Sequence, residues 1–411
     1  MVGLLLSLAV VLVLSRLLGA LARRFDQPAV IGEILAGILV GPTLLHGAIA
    51  NVLFPVAVRP LLSAFANLGV ALFMFIIGFE FDHRVLRGRS RTVATVTAGS
   101  VLPGFALGAL LAWHLYPGHP RGSSGIFLVF FGLAMSVTAF PVLARVLRDR
   151  GMHETTVGGL ALASAALGDV LAWSGLAVVT MLVNGGHAQW RFLLILPFAG
   201  LLLVIRPLFR RLMTRAEAGA GHGGELFAGV AAGLLVAGAL TEWMGLHFIF
   251  GSFLFGLLLP KAGFERVHTE ILGNMQQVST SLLLPVYFII TGLQVDLSKV
   301  DARGLGDFGL IMLVAVGGKF GGVLVAARSL RFDPRRAATL ATLMNSRGLT
   351  ELIILTAGLN LGLLDRSLYS LMVLMAVVTT AVTGPLLRWF YPRDQIQADL
   401  DQLRAAPALS R

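Results

Sequence analysis

Apolar stretches of membrane-crossing length, parted by short clusters rich in Arg, Gly and Pro, recur from the first residue to Phe390. A helix rises ~1.5 Å per residue, so ~20 apolar residues cross a hydrocarbon core ~30 Å thick. The pattern predicts thirteen spans, at 2–22, 28–45, 57–79, 92–115, 125–147, 156–183, 191–213, 224–243, 246–260, 271–292, 305–328, 337–359 and 367–390. The fold class is therefore all-α and polytopic, with one transmembrane domain over 1–392 and a short cytoplasmic tail, 393–411. The first run carries only Arg16 and no small-residue cleavage site, so it is expected to remain as a span rather than be removed. The tail is expected to form an amphipathic helix with no soluble domain after it.

Composition agrees with a lipid environment. The chain is 56% hydrophobic and 13% charged, against about 25% charged in soluble domains, and its mean hydropathy is +0.85. With no cysteine, disulfides and thiolate metal sites are excluded. The net charge of +11 would suggest nucleic acid in a soluble protein, but its placement says otherwise. Arg23, Arg24, Arg84, Arg87, Arg89, Arg91, Arg148, Arg150, Arg210, Arg211, Arg215, Lys261, Arg266, Arg328, Arg331, Arg335 and Arg336 fall on odd-numbered connections. The even ones hold only Arg121, Arg191, Lys299, Arg303 and Arg366. By the positive-inside rule the N-terminus is outside and the C-terminus cytoplasmic, and no nucleic-acid partner is implied.

The chain also repeats itself. Ile31-Gly-Glu-Ile-Leu-Ala-Gly-Ile-Leu-Val-Gly-Pro42 and Phe250-Gly-Ser-Phe-Leu-Phe-Gly-Leu-Leu-Leu-Pro260 share glycines five apart and a terminal proline. The next spans end in Gly78-x-x-x-Asp82 and Gly292-x-x-x-Asp296. Repeat one covers about 28–183 and repeat two about 246–390, running in opposite directions. Inverted repeats characterise secondary transporters, with the site near the midplane on interrupted helices.

Extending the repeat pairs span five with span twelve. Span five holds Met135-Ser-Val-Thr-Ala-Phe-Pro141, and Pro141 removes a helical donor. Span twelve holds Asn345-Ser-Arg-Gly-Leu-Thr-Glu351, weakened at Gly348. Unwound backbone at membrane depth is tolerated only where it is buried in protein or lines a cavity. Ser136, Thr138, Asn345 and Ser346 would supply neutral oxygens there. Asp169 is the only acid in span six, and an intramembrane carboxylate marks an ion or proton path by default. It can hold a proton or a small cation, and that competition is the simplest exchange mechanism. Lys319, in Val316-Gly-Gly-Lys-Phe-Gly-Gly322, needs a partner, and Asp169 is the natural one. Arg347 and Glu351, four apart, can pair along a helix face as a gate or a structural link, nearer the cytoplasmic end. Glu33, Glu242 and His247 are read as interfacial anchors or gate residues. The scattered histidines form no metal-ligand cluster, so neither a cofactor nor a resident metal is called for.

Gln27-Pro-Ala-Val-Ile-Gly-Glu-Ile-Leu-Ala-Gly-Ile-Leu-Val-Gly-Pro42, Ser136-Val-Thr-Ala-Phe-Pro-Val-Leu-Ala-Arg-Val-Leu147, Asp169-Val-Leu-Ala-Trp173, Met344-Asn-Ser-Arg-Gly-Leu-Thr-Glu-Leu-Ile353 and Thr379-Thr-Ala-Val-Thr-Gly-Pro-Leu-Leu387 together resemble the monovalent cation:proton antiporter superfamily. The nearest branch is that of the Kef-type systems and plant cation/proton exchangers. The resemblance implies a core domain with crossed broken helices, a dimerisation domain, and a homodimer exchanging Na+ or K+ for H+ by an elevator motion. It also implies that Asp169 is the ion-binding carboxylate, Thr138 the unwound-segment threonine and Lys319 the core lysine. The family commonly places Asp, Asn or Gln just before that carboxylate; here Gly168 stands there. The departure favours electroneutral exchange of one proton for one cation. Its lost polarity motivates a second reading, transport of an organic cation or ionophore-like cargo. A third is a membrane enzyme or scaffold using Asp169 as an acid. Partners implied are the lipid bilayer, the two ions and a separate cytoplasmic regulatory subunit, and the location is the plasma or inner membrane.

Overall fold

The computed structural model describes residues 1–25, 27–44, 47–80, 90–120, 122–184, 194–217, 223–260, 264, 273–298 and 300–405. Among the loop cations, Arg84, Arg87, Arg89, Arg121, Arg191, Lys261, Arg266 and Lys299 lie outside them, as do Asp82 and the last residues of the tail.

Every described element is helical. In chain order these are α1 (Val2–Arg24), α2 (Ala29–Val40), α3 (Ala48–Leu53), α4 (Arg59–Glu80), α5 (Ser90–Leu115), α6 (Ser124–Ser136), α7 (Phe140–Asp149) and α8 (Thr156–Asn184). There follow α9 (Ile195–Glu217), α10 (Gly223–Trp243), α11 (Phe248–Leu258) and α12 (Gly273–Leu293), the last with a π turn at Ser279–Leu283. The chain continues through α13 (Ala302–Ser329), α14 (Pro334–Met344), α15 (Leu349–Asn360), α16 (Arg366–Phe390) and α17 (Arg393–Ala405). Each expected span falls on one helix or on two half-helices. Nine stretches among the described residues are long and apolar enough to cross a membrane, by length and composition. Leu5, Leu102, Val204, Leu313, Val325 and Trp389 project outward, exposed and apolar, as lipid-facing positions do.

The packing reproduces the repeat in space. A Cβ on Gly37 of α2 would fall 2.4 Å from the Ile289 carbonyl of α12, and one on Gly256 of α11 would fall 2.2 Å from the Phe75 carbonyl of α4. Span two thus seats on span ten, and span nine on span three, so each copy's first helix packs on the other copy's second. On the other pair of equivalent spans, Gly99 and Gly322 each approach the other's carbonyl, at 2.8 and 2.1 Å from an added Cβ. Such reciprocal contacts are what a two-fold relation between copies produces. Alanine at Gly37 or Gly256 is expected to overpack these crossings and lower stability by ~1–3 kcal/mol. Alanine at buried Gly168, whose Cβ would meet nothing within 4 Å, is not. Thermal unfolding in detergent checks the contrast, and equal losses at all three positions would refute the packing argument.

The helices sort into two packed groups. One, here the scaffold group, gathers α1, α2, α4 and α9 to α12; the core group gathers α5 to α8 and α13 to α16. Hydrogen bonds stitch the seam between them: Gln27 Nε2 donates to the Ala381 carbonyl at 3.1 Å, and the Tyr369 hydroxyl to the Thr291 carbonyl at 3.2 Å.

One end of the core group is tied by His119, in the turn after α5. Its Nδ1 lies 2.6 Å from Asp365, the N-cap of α16, and its Nε2 lies 3.7 Å from Asp307 on α13. The hydrogen bond to Asp365, with the field of both carboxylates, outweighs burial and raises the imidazole above its ordinary 6.5. A raised value means the protonated tie stabilises the fold fully below about pH 6.5 and is lost as pH climbs through the shifted value. The melting-temperature difference between the native chain and His119→Gln should therefore be largest in mild acid and shrink in base. A difference that stays constant with pH would contradict the tie.

Candidate ion-binding site

Two helix breaks meet in the middle of the core group. α6 stops at Ser136 and α7 begins at Phe140. Pro141 sits in the first turn of α7, so it starts the second half-helix where a missing N–H costs nothing. α14 stops at Met344 and α15 begins at Leu349. A Cβ on Gly348 would lie 2.5 Å from Val142 of α7, so the two breaks can cross only because that side chain is absent. They bond directly: Ala139 N–H donates to the Ser346 carbonyl at 3.2 Å, and the Thr138 hydroxyl to the Met344 carbonyl at 2.8 Å.

The carbonyls freed at the C-terminal end of α6 are met by cations. Lys319, fully buried on α13, donates to the Ser136 carbonyl at 3.1 Å, to Thr138 Oγ1 at 2.6 Å and to the Val137 carbonyl. Arg347 donates to the Met135 carbonyl at 2.9 Å and to Glu351 Oε1 at 2.6 Å. Positive charge here complements the negative end of a half-helix dipole. The backbone of Arg347 is held by Thr380 on α16, which accepts its N–H at 3.1 Å and donates to its carbonyl at 2.7 Å.

Asp169 occupies the opposite pole. It lies thirteen residues after the first of α8 and fifteen before its last, and is 2% exposed. The Thr350 hydroxyl, in the first turn of α15, points to its Oδ2 at 3.4 Å, and the first amide of α7, that of Phe140, faces the same carboxylate. The N-terminal ends of two half-helices thus converge on one anion, the arrangement that dipoles favour. Its Oδ1 accepts no hydrogen bond from any described residue, and neither does Asn345 Oδ1, buried in the second break. Open acceptor oxygens in a dry interior are what a proton or a hard cation requires.

The structure thus brings Asp169, Thr138, Lys319, Asn345, Arg347 and Glu351 into one buried region, with two changes to the expected contacts. Lys319 is not within ion-pair distance of Asp169. Its ammonium turns to the Ser136 and Val137 carbonyls and the Thr138 hydroxyl, because unpaired backbone oxygens at membrane depth compete for it. Glu351 also enters its surroundings, so Asp169 is not its only counter-charge. Arg347 and Glu351 pair as expected and are fully buried at the break; the second change lies in two serines. The hydroxyls of Ser136 and Ser346 turn back to the Leu133 and Leu343 carbonyls, each at 2.7 Å. Thr350, Thr380 and Ser100, which lies 3.4 Å from Thr138, were not singled out from the sequence. Thr350 sits between Gly348 and Glu351 in a motif already marked, so its polarity beside a helix start was the available signal.

Two cavities flank this region at opposite ends of α8. One, of about 950 Å³, reaches Thr380 and Val146; the other, of about 350 Å³, is lined by Asn67, Thr180, Glu242, His247, Tyr287 and Asn360. Both lie on the seam between the two helix groups, and Asp169 lines neither.

Crossed half-helices, a buried carboxylate between their N-terminal ends and a seam with a cavity at either end define the antiporter class of membrane fold. Comparison with known proteins agrees. Residues 9–391 match the sequence model of the family described as "Sodium/hydrogen exchanger, transmembrane", and the chain belongs to that family. It is 35% identical over 397 residues to the Na(+)/H(+) antiporter NhaS4 of Synechocystis sp., covering 94% of this chain and 96% of that one. It is 36% identical to Cation/H(+) antiporter 18 of Arabidopsis thaliana, over 94% of this chain and 48% of that protein. With K(+)/H(+) antiporter 1 of Saccharomyces cerevisiae the identity is 30%, over 91% of this chain and 45% of the yeast protein. The chain therefore spans about half the length of the plant and yeast relatives. In three dimensions it resembles the sodium proton antiporter MjNhaP1 from Methanocaldococcus jannaschii, with a TM-score of 0.67, 17% identity and coverage of 97% and 99% of the two chains.

Proposed function

We propose that this chain exchanges a monovalent cation, Na+ or K+, for a proton across the membrane, with Asp169 carrying each in turn. The observation that carries the reading is that carboxylate: buried at mid-helix, aimed at by two half-helix starts, free of a direct ion pair and with one oxygen open. The Thr350 hydroxyl adds a neutral oxygen beside it, and the unpartnered Asn345 Oδ1 offers another within the second break. In this reading Lys319 and Arg347 hold the breaks in shape rather than bind the ion.

Charge counting supports one-for-one exchange. The buried charged side chains at the breaks are Lys319, Arg347, Asp169 and Glu351, two positive and two negative; Asp399, also buried, lies apart on α17 and pairs with Arg336. The set at the breaks is neutral when Asp169 is empty and ionised, and carries one positive charge whether a proton or a monovalent cation is bound. Both loaded states present the same charge to the bilayer, so the return and forward steps face the same electrostatic barrier. Gly168 contributes no second carboxylate to change that count.

The seam supports an alternating-access reading. The core group carries Asp169 past the scaffold group, opening it first to one flanking cavity and then to the other. The reading includes a homodimer joined through the scaffold group, residence in the plasma or inner membrane, and an outside N-terminus with a cytoplasmic C-terminus, as the loop cations indicate. The relatives are named as antiporters, and no separate enzymatic chemistry is needed to account for the buried groups.

Purified chain in liposomes loaded with a pH dye tests this. Adding Na+ or K+ to one side of a preformed pH gradient is expected to move protons in the opposite direction. Absence of any proton movement with Na+, K+ or Li+ would overturn the proposal.

A further inference from the structure

The smaller cavity stops short of Asp169, and it does so unequally on its two walls. On α15 it reaches Ile353, three residues beyond Thr350, whose hydroxyl points to the Asp169 carboxylate. At ~1.5 Å per residue that gap is less than one helical turn. On α8 the same cavity reaches only Thr180, about 16 Å along the axis beyond Asp169. Two apolar side chains fill the difference. With ~3.6 residues per turn, Asp169, Trp173, Leu176 and Thr180 share one face of α8. Leu171, Ser174 and Val178 mark the opposite face and are exposed. Side chains of a helix lean toward its N-terminus, so the Trp173 indole lies over the turn that bears Asp169. Trp173 and Leu176 are buried, at 2% and 1% exposure, in one hydrophobic cluster with Ile353.

This plug has one polar atom that it does not satisfy. The Trp173 Nε1–H finds no acceptor, whereas a buried indole N–H ordinarily has one. A buried donor without an acceptor raises the free energy of the arrangement that buries it. Phenylalanine would fill the same place without that cost. Displacing the indole toward the smaller cavity gives its N–H to water and uncovers the carboxylate in the same movement. The seated ring is therefore held by packing alone. We propose that Trp173 is the gate between Asp169 and the smaller cavity, shutting the path when seated as here and opening it when displaced. That the opened path serves ion exchange rests on the exchange reading; the barrier itself does not.

The chain has no cysteine, so one introduced thiol reports on the path. Thr350→Cys places it on the carboxylate side of the ring, and the probe is the trimethylammonium-ethyl methanethiosulfonate cation, added to purified full chain in a neutral detergent. Close packing leaves that probe no passage while the ring is seated, so Trp173→Ala and Trp173→Leu should each speed modification about tenfold or more. Trp173→Phe should leave the rate near that of the native ring, because an aromatic still fills the place. Thr339→Cys, fully buried on α14, separates a gate from general loosening, and its rate should not respond to any of the three changes. Thr350→Cys rates unchanged by both Trp173→Ala and Trp173→Leu would overturn the proposal, as would equal acceleration at Thr339→Cys. The labelling needs no transport, so these rates in a chain that moves no protons would count against the exchange reading and leave the gate standing.

Discussion

Asp169→Asn is expected to reduce cation-driven proton movement in liposomes to that of empty vesicles at every pH. Asparagine keeps the size of the side chain and an oxygen for the Thr350 hydroxyl, but it can neither release a proton nor attract a cation with a full charge. The variant should fold, since it removes a charge that burial penalises. The loss must therefore appear in flux and not in expression or melting. Retention of measurable exchange in a well-folded Asp169→Asn would place the ion-carrying group elsewhere.

The second large effect concerns stability. Arg347 and Glu351 form a fully buried pair, and removing one partner of such a pair leaves an uncompensated charge, at ~3–5 kcal/mol. Arg347→Met should be the worse of the two single changes, because it also strips the Met135 carbonyl at the end of α6 of its donor. Glu351→Gln leaves Arg347 charged close to Lys319, with only the α6 carbonyls to answer it. Combining Arg347→Met with Glu351→Met should recover much of the loss, since an apolar pair carries no desolvation penalty. Denaturant or thermal unfolding of the three variants checks the order. A double variant no more stable than Arg347→Met would show that the guanidinium matters as a cap on α6 and not as a charge partner.

Much of this architecture was written in local chemistry. Pro141 and Gly348 announced the two breaks, because each disrupts helix within its own segment. Gly37 and Gly256 revealed the repeat, because close backbone approach tolerates nothing larger. Asp169 stood out by solvent mismatch alone. What could not be read were the partners chosen across long separations. Opposite charge points Lys319 at a carboxylate, but the carbonyl ends of a half-helix are invisible in a string of side chains. Arg347 reaches Met135, over two hundred residues away in sequence. The two-way hydrogen bond of Thr380 to the Arg347 backbone depends likewise on where α16 lies, which no local pattern encodes.

The central claim is that one carboxylate exchanges a proton for a cation, and proton release on cation binding measures it most directly. Purified chain in weakly buffered detergent, titrated with NaCl or KCl and followed by a pH indicator, should release protons to a limit of one per chain. Choline chloride should release none, and Asp169→Asn should release none with any salt. Equal release from the native chain and Asp169→Asn would contradict the account, as would saturable cation binding with no proton released at any pH.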